Sequence, residues 1–149
     1  MASYHYTECG LDNVFIEGMD MIQDHAREDI VVIPAIGMLH KVIAEGIVKL
    51  PTKMSGRELR FLRSEMGMTQ SRLAEVLKVT LLTVGRWERE ETPIKDAAEM
   101  LVRLMAIEQL NLDVKMGVDD VSEKVTHEPR ISPILIDGSD PAKYHLTAA

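Results

Sequence analysis

Two threonines, Thr69 and Thr80, each stand directly before a short run of helically spaced apolar residues. A side-chain hydroxyl at that position accepts a hydrogen bond from an N–H of the first helical turn, so both read as N-caps. The first helix places Leu73, Ala74 and Leu77 inward and ends near Lys78; the second runs from Thr80 to about Glu90 with Val84 and Trp87 inward. Leu81, Leu82, Thr83, Gly85, Arg86 and Arg89 are then left on the outer side of the second helix. Leucines beside a guanidinium form a surface suited to base edges in a DNA major groove. Apolar side chains can meet thymine methyls there, and Arg can grip guanine O6 and N7. Trp87 has a ring that could stack on a base, but its position beside Val84 assigns it to the core.

The charge distribution bears on that surface. The chain has 149 residues and a net charge of −7, which on average opposes phosphate binding. By segment the charge is −5 over 1–52, +2 over 53–93 and −4 over 94–149, so the positive charge sits with the paired helices. Arg57, Arg60 and Arg63 add cations at three-residue spacing, a pattern that fits a solvated face or a phosphate stripe.

Other chemistry finds little support. Cys9 is the single cysteine, so an internal disulfide and a CxxC zinc site are excluded. His5 and Cys9 could share a metal with His25 or His40, but they lack the tight pairing of such sites, and we expect no metal and no cofactor. No base or oxyanion motif accompanies Cys9, so no catalytic residue and no enzyme activity is expected. No apolar run reaches membrane-spanning length and no signal core opens the chain, which leads us to expect a cytoplasmic protein without a membrane partner. The methionines near the helices read as adaptable core and interface filler.

The elements that position the paired helices follow from the flanking patterns. Residues 4–7, 13–16 and 30–33 have strand character, and Ala35 to Leu50 repeats apolar residues at helical spacing until Pro51. A small antiparallel sheet covered by one helix is expected over 1–51. A helix-turn-helix domain follows over 52–112. Ser55 and Glu58 form a capping-box pattern for a helix from Gly56 to Met66, and Pro93 precedes a last helix, Ile94 to Leu110. Residues 113–149 read as a loose tail, partly extended, whose run Ile134-Leu135-Ile136 could add to a sheet edge in the same or a partner chain. The fold class is α+β: a small N-terminal sheet with one helix, an all-α helix-turn-helix bundle, and the tail.

The run Met68-Thr69-Gln70-Ser71-Arg72-Leu73-Ala74-Glu75-Val76-Leu77-Lys78-Val79-Thr80, followed by Val84-Gly85-Arg86-Trp87-Glu88-Arg89, resembles the Xre/Cro-type helix-turn-helix. With Gly56-Arg57-Glu58-Leu59-Arg60-Phe61-Leu62-Arg63 ahead of it, the stretch is similar to the DNA-binding half of MqsA-type antitoxins, and the likeness covers about 54–112. The resemblance implies that Thr69 and Gln70 contact phosphate and that Thr80, Leu81, Leu82, Thr83 and Arg86 form the edge facing DNA. Lys78 and Glu90 stand where the family has turn glycines. Lys78 is read as an added phosphate contact, and Glu90 as turned away from DNA. The zinc-binding relatives carry paired cysteines at the N-terminus where this chain has Cys9 alone.

The expected function is therefore a sequence-specific transcriptional regulator, a homodimer on palindromic operator DNA acting as an autorepressor. Leu101, Leu104, Ile107 and Leu110 offer a dimer stripe. In the antitoxin version the acidic N-terminal module also masks a cognate basic toxin in a toxin-antitoxin pair. The alternative is a protein-interaction adaptor on the same scaffold, using Leu81 and Leu82 for a protein and binding DNA too weakly to matter.

Overall fold

The computed structural model describes residues 3–19, 21–23, 29–31, 33–125 and 132–147. In chain order they form β1 (Ser3–His5), β2 (Val14–Glu17), β3 (Met21–Gln23), β4 (Asp29–Val31), α1 (Ile36–Val48), α2 (Gly56–Glu65), α3 (Gln70–Leu77), α4 (Leu81–Glu88), α5 (Asp96–Gln109), α6 (Val118–Lys124), β5 (Ile134–Asp137) and β6 (His145–Leu146). The class is α+β, but the main sheet is mixed rather than purely antiparallel, combining N-terminal β1 and β2 with C-terminal β5 and β6, while β4, within the expected strand 30–33, pairs with β3 in a separate two-stranded sheet.

Alternation decides how β2 is used. Val14 and Ile16 are fully buried while Phe15 and Glu17 face outward, and β5 repeats this with Ile134 and Ile136 inward. The strands lie side by side and parallel, pairing Val14 with Ile134 and Ile16 with Ile136, within a sheet ordered β1-β2-β5-β6. β1 pairs antiparallel to β2, and β6 antiparallel to β5. The apolar run of the tail thus joins the sheet in its own chain, and β6 covers its outer edge. Tyr144 is buried and its hydroxyl donates to Pro34 O at 2.7 Å, so this part of the tail is held more firmly than its turn-rich sequence suggests. Strand β3 pairs antiparallel with β4 and was not expected from the sequence.

Helix α1 buries Leu39, Val42, Ile43, Ala44, Ile47 and Val48, each large aliphatic one contributing a gross burial of about 1.5–3 kcal/mol. It closes on β5 and β6 because Gly46 has no side chain: a Cβ there would sit 3.0 Å from Ile134 Cγ2 and 3.3 Å from Leu146 Cδ2. One hydrophobic cluster runs from Tyr6 and Val14 through α1 and the bundle to Ile134 and Tyr144.

Sheet and bundle are pinned together by polar contacts. The Tyr6 hydroxyl lies 2.8 Å from His40 Nε2, and His40 Nδ1 lies 3.2 Å from Glu65 Oε2 on α2. His40 thus bridges Tyr6 to α2. Asn13 Nδ2 donates to Ser132 O at 2.8 Å and reaches Glu58 Oε2 at 3.4 Å.

Helix α5 starts later than expected and buries charge. The helix starts at Asp96, and Ile94 is buried in the loop before it. Its inner face is Ala98, Glu99, Val102, Arg103 and Ala106, whereas Ala97 and Leu101 face outward. A buried ion pair is tolerated within that inner face because its polar atoms all but one find partners. Arg103 donates to Glu99 Oε2 from Nε (3.1 Å) and Nη2 (2.7 Å), and to the carbonyls of Val48 (3.2 Å), Leu50 (2.8 Å) and Thr52 (2.6 Å). All five guanidinium N–H groups are used, and they fasten the link between α1 and α2. Glu99 Oε2 also accepts from Met54 N at 3.1 Å, while Oε1 has no hydrogen bond and faces Lys53 Nζ at 3.8 Å.

Candidate nucleic-acid interface

Three short helices carry the surface, and local chemistry fixes each end. Ser55 Oγ accepts from Glu58 N at 3.2 Å and Glu58 Oε1 accepts from Ser55 N at 2.8 Å, the reciprocal pair that starts α2. Burial pushes the Glu58 carboxyl above its usual 4.5. Thr69 Oγ1 accepts from Arg72 N at 3.0 Å to start α3, and Thr80 Oγ1 accepts from Thr83 N at 3.1 Å to start α4. Lys78 ends α3 at φ 59° and Glu90 follows α4 at φ 62°, both left-handed. Both positions adopt the backbone that glycine would supply, at a cost of about 1–2 kcal/mol each for carrying a Cβ. Gly56 is required for a different reason: a Cβ there would lie 2.2 Å from Trp87 O, so α2 could not reach the end of α4.

Between α3 and α4, Ala74 and Val84 are buried and Val79 packs against the core. Trp87 is 2 % exposed, in the core as its spacing indicates. A polar clamp that the sequence reading did not foresee holds the three helices at their base. Buried Glu88 accepts from Arg63 Nε at 2.6 Å, Arg63 Nη2 at 3.0 Å and Gln70 Nε2 at 2.9 Å, and Arg63 Nη1 donates to Met68 O at 2.9 Å. Arg63 is therefore part of the frame, not of a wet stripe. The usable signal was its position four residues after the inward Leu59. Gln70, read as a phosphate contact, has one amide hydrogen committed to Glu88 and a second left over.

On the outer side, Leu81 and Leu82 are 52 % and 56 % exposed. Arg86 and Lys78 are exposed, and neither side chain has an ion-pair or hydrogen-bond partner among the described residues. Thr80 and Thr83 share a hydroxyl contact of 2.8 Å at the start of α4. Arg89 is exposed and pairs with Glu91. Gly85 is buried, contrary to its expected outward position: the Arg89 guanidinium folds over it, with Nη1 3.0 Å from where a Cβ would stand. Arg72 pairs with Glu75 at 3.1 Å and Arg57 with Asp12 at 3.3 Å, both in the open, where such pairs add little. The structure thus gathers Lys78, Thr80, Leu81, Leu82 and Arg86 at the turn and along α4, with Thr69 at the cap of α3.

The residues considered for a metal do not converge. His5 Nε2 meets Asp12 O at 2.6 Å and its ring stacks on Phe15 at 4.6 Å, Cys9 Sγ points to Tyr6 O at 3.7 Å, and His40 is held by Tyr6 and Glu65. His25 lies outside the described residues. Among the described residues no group of three or more His, Cys, Asp or Glu side chains could hold an ion. Burial pushes the Tyr6 phenol up to about 12 and raises the Cys9 thiol, which keeps the sulfur protonated and a poor nucleophile.

Comparison with protein-family models, with curated proteins and with solved structures finds no match to this chain. Among the described residues no helix is long and apolar enough to cross a membrane.

Proposed function

We propose that the chain is a sequence-specific DNA-binding transcriptional regulator of the helix-turn-helix type, acting as a homodimer on its own promoter. The observation that carries this reading is the outer face of α4: two half-exposed leucines and an exposed Arg86 with no partner among the described residues, on a helix whose base is locked by the Arg63–Glu88–Gln70 clamp. A rigid helix bearing apolar groups and an exposed guanidinium can read thymine methyls and a guanine edge without reorganising. Thr69, Lys78 and the second amide hydrogen of Gln70 suit phosphates beside it. Leu101 is 49 % exposed on α5 with Leu104, Ile107 and Leu110 half-buried along the same line, which supports that stripe as the dimer contact. Two copies would then span half-sites about 34 Å apart. Arg86→Ala should weaken operator binding by about 1–3 kcal/mol with loss of base preference, whereas Lys78→Ala should weaken all duplexes alike. Fluorescence anisotropy on operator and scrambled duplexes separates the two effects.

The antitoxin role is a further step. The −5 charge of residues 1–52 suits masking of a basic toxin, and co-purification of a small basic neighbour-encoded protein would test it. The adaptor alternative draws on the same exposed Leu81–Leu82 pair. It requires that salt and Arg86→Ala leave duplex binding equally weak.

A further inference from the structure

A cleft of about 540 Å3 opens where the turn at 11–13, the stretch 53–58 leading into α2 and the chain leaving α4 at 90–94 meet. Small-molecule sites commonly enclose ~300–1,000 Å3 and favour such junctions. Leu11, Met54, Trp87 and Ile94 line it, each at most 5 % exposed, so its floor is apolar.

The charges around it are unbalanced. Four acids, Asp12, Glu58, Glu90 and Glu91, share the lining with Lys53 and Arg57. Both cations are already engaged: Lys53 Nζ donates to Ile94 O at 2.7 Å and pairs with Asp96, and Arg57 pairs with Asp12. Arg89, just past the end of α4, takes Glu91. Two carboxylate oxygens are left with long contacts. Glu58, 4 % exposed, has its Oε1 taken by Ser55 N at 2.8 Å but only Asn13 Nδ2 at 3.4 Å on its Oε2 among the described residues, and Glu90 Oε1 has only the Arg57 N–H at 3.4 Å among them. Both contacts are longer than the usual ~2.9–3.0 Å of an N–H···O bond. An anion would meet net negative charge here, and a neutral apolar molecule would leave these acceptors poorly served. A cation on an apolar body satisfies floor and rim together.

We propose that this cleft binds a small organic amine, an ammonium group carried on an aromatic or branched aliphatic body, with Glu58 and Glu90 as its acidic partners. The site does not require that the chain bind DNA. The cleft borders the backbone that leaves α4, so an occupant would bear on the recognition helix if the proposed function holds.

Trp87 is the single tryptophan and lines the cleft, so its emission reports occupancy directly. The full chain is titrated with 2-phenylethylamine, 2-phenylethanol and 3-phenylpropionate in the absence of DNA, with amide shifts followed by NMR. The amine should change the emission saturably and move the amides of Leu11, Met54, Glu90 and Thr92. The alcohol should bind about tenfold more weakly and the acid should not saturate. Glu90→Gln, an exposed substitution, should weaken the amine about threefold and leave the alcohol unchanged. No saturation by the amine, equal binding of amine and alcohol, or shifts confined to another surface would each overturn the proposal. Because no arm uses DNA, a failure here is distinct from a failure of operator binding.

Discussion

Arg103 should be the most sensitive side chain in the protein for stability. It is fully buried and its five N–H groups serve five contacts, two to Glu99 and three to the carbonyls of the α1–α2 link. Arg103→Ala strands the Glu99 carboxylate, with Met54 N as its remaining hydrogen bond and Lys53 at 3.8 Å. Breaking a buried pair from one side costs about 3–5 kcal/mol. The three carbonyls each lose a bond worth about 0.5–1.5 kcal/mol, part of which water entering the space restores. The expected loss is about 4–6 kcal/mol, a large fraction of the ~5–15 kcal/mol that holds a domain folded. With a urea slope near 2 kcal/mol/M, the midpoint followed by Trp87 fluorescence should fall by about 2–3 M. Arg103→Lys keeps the charge but cannot reach all five acceptors, and should lose about 2 kcal/mol, so the effect remains measurable if the alanine variant does not fold. Glu99→Gln combined with Arg103→Ala should show a coupling of about 1–3 kcal/mol. A midpoint shift below about 0.5 M for Arg103→Ala, or strict additivity in the pair, would refute the reasoning.

Lys78→Gly and Glu90→Gly should each raise stability by about 0.5–1 kcal/mol, because relief of the left-handed strain exceeds the entropy cost of glycine. Thermal midpoints about 2–4 °C higher per kcal/mol would show it, and a fall in both would contradict it. Burial raises Glu58 above 4.5, so folding disfavours its charged form relative to the unfolded chain. The stability it contributes is complete below pH 4.5 and is lost as pH rises through the folded value. Glu58→Gln should therefore match or exceed the parent at pH 7, with the difference shrinking toward pH 4. Urea midpoints across that range check the sign. Leu101→Asp should convert a dimer to monomer in sedimentation while leaving the circular dichroism unchanged; a dimer that survives places the interface elsewhere.

Much of the helical bundle was legible because its ends depend on short-range chemistry. Ser55 with Glu58, Thr69 and Thr80 declare three helix starts by residue type alone, and the caps form at those positions. Val84 and Trp87 were assigned inward by spacing, and both are buried. What spacing could not show was the use of charged residues as core. Arg63, Glu88, Glu99 and Arg103 read as surface by type, and are drawn inward because partners far along the chain, Glu88 for Arg63, Met54 for Glu99 and the carbonyls of Val48, Leu50 and Thr52 for Arg103, complete their hydrogen bonds. The parallel pairing of β2 with β5 joins residues some 120 positions apart, a distance over which no local pattern acts. Gly85 was misplaced for a related reason, since the side chain that buries it, Arg89, reaches back from the following turn.

The central claim is tested most directly by fluorescence anisotropy on the duplex immediately upstream of the gene, beside a scrambled duplex, at two salt concentrations, for the parent chain and Arg86→Ala. The account predicts saturable, salt-sensitive preference for the native duplex, reduced by about 1–3 kcal/mol and flattened in base preference by the substitution. Equal binding of both duplexes, unaffected by Arg86→Ala, would contradict it and turn the Leu81–Leu82 face toward a protein partner.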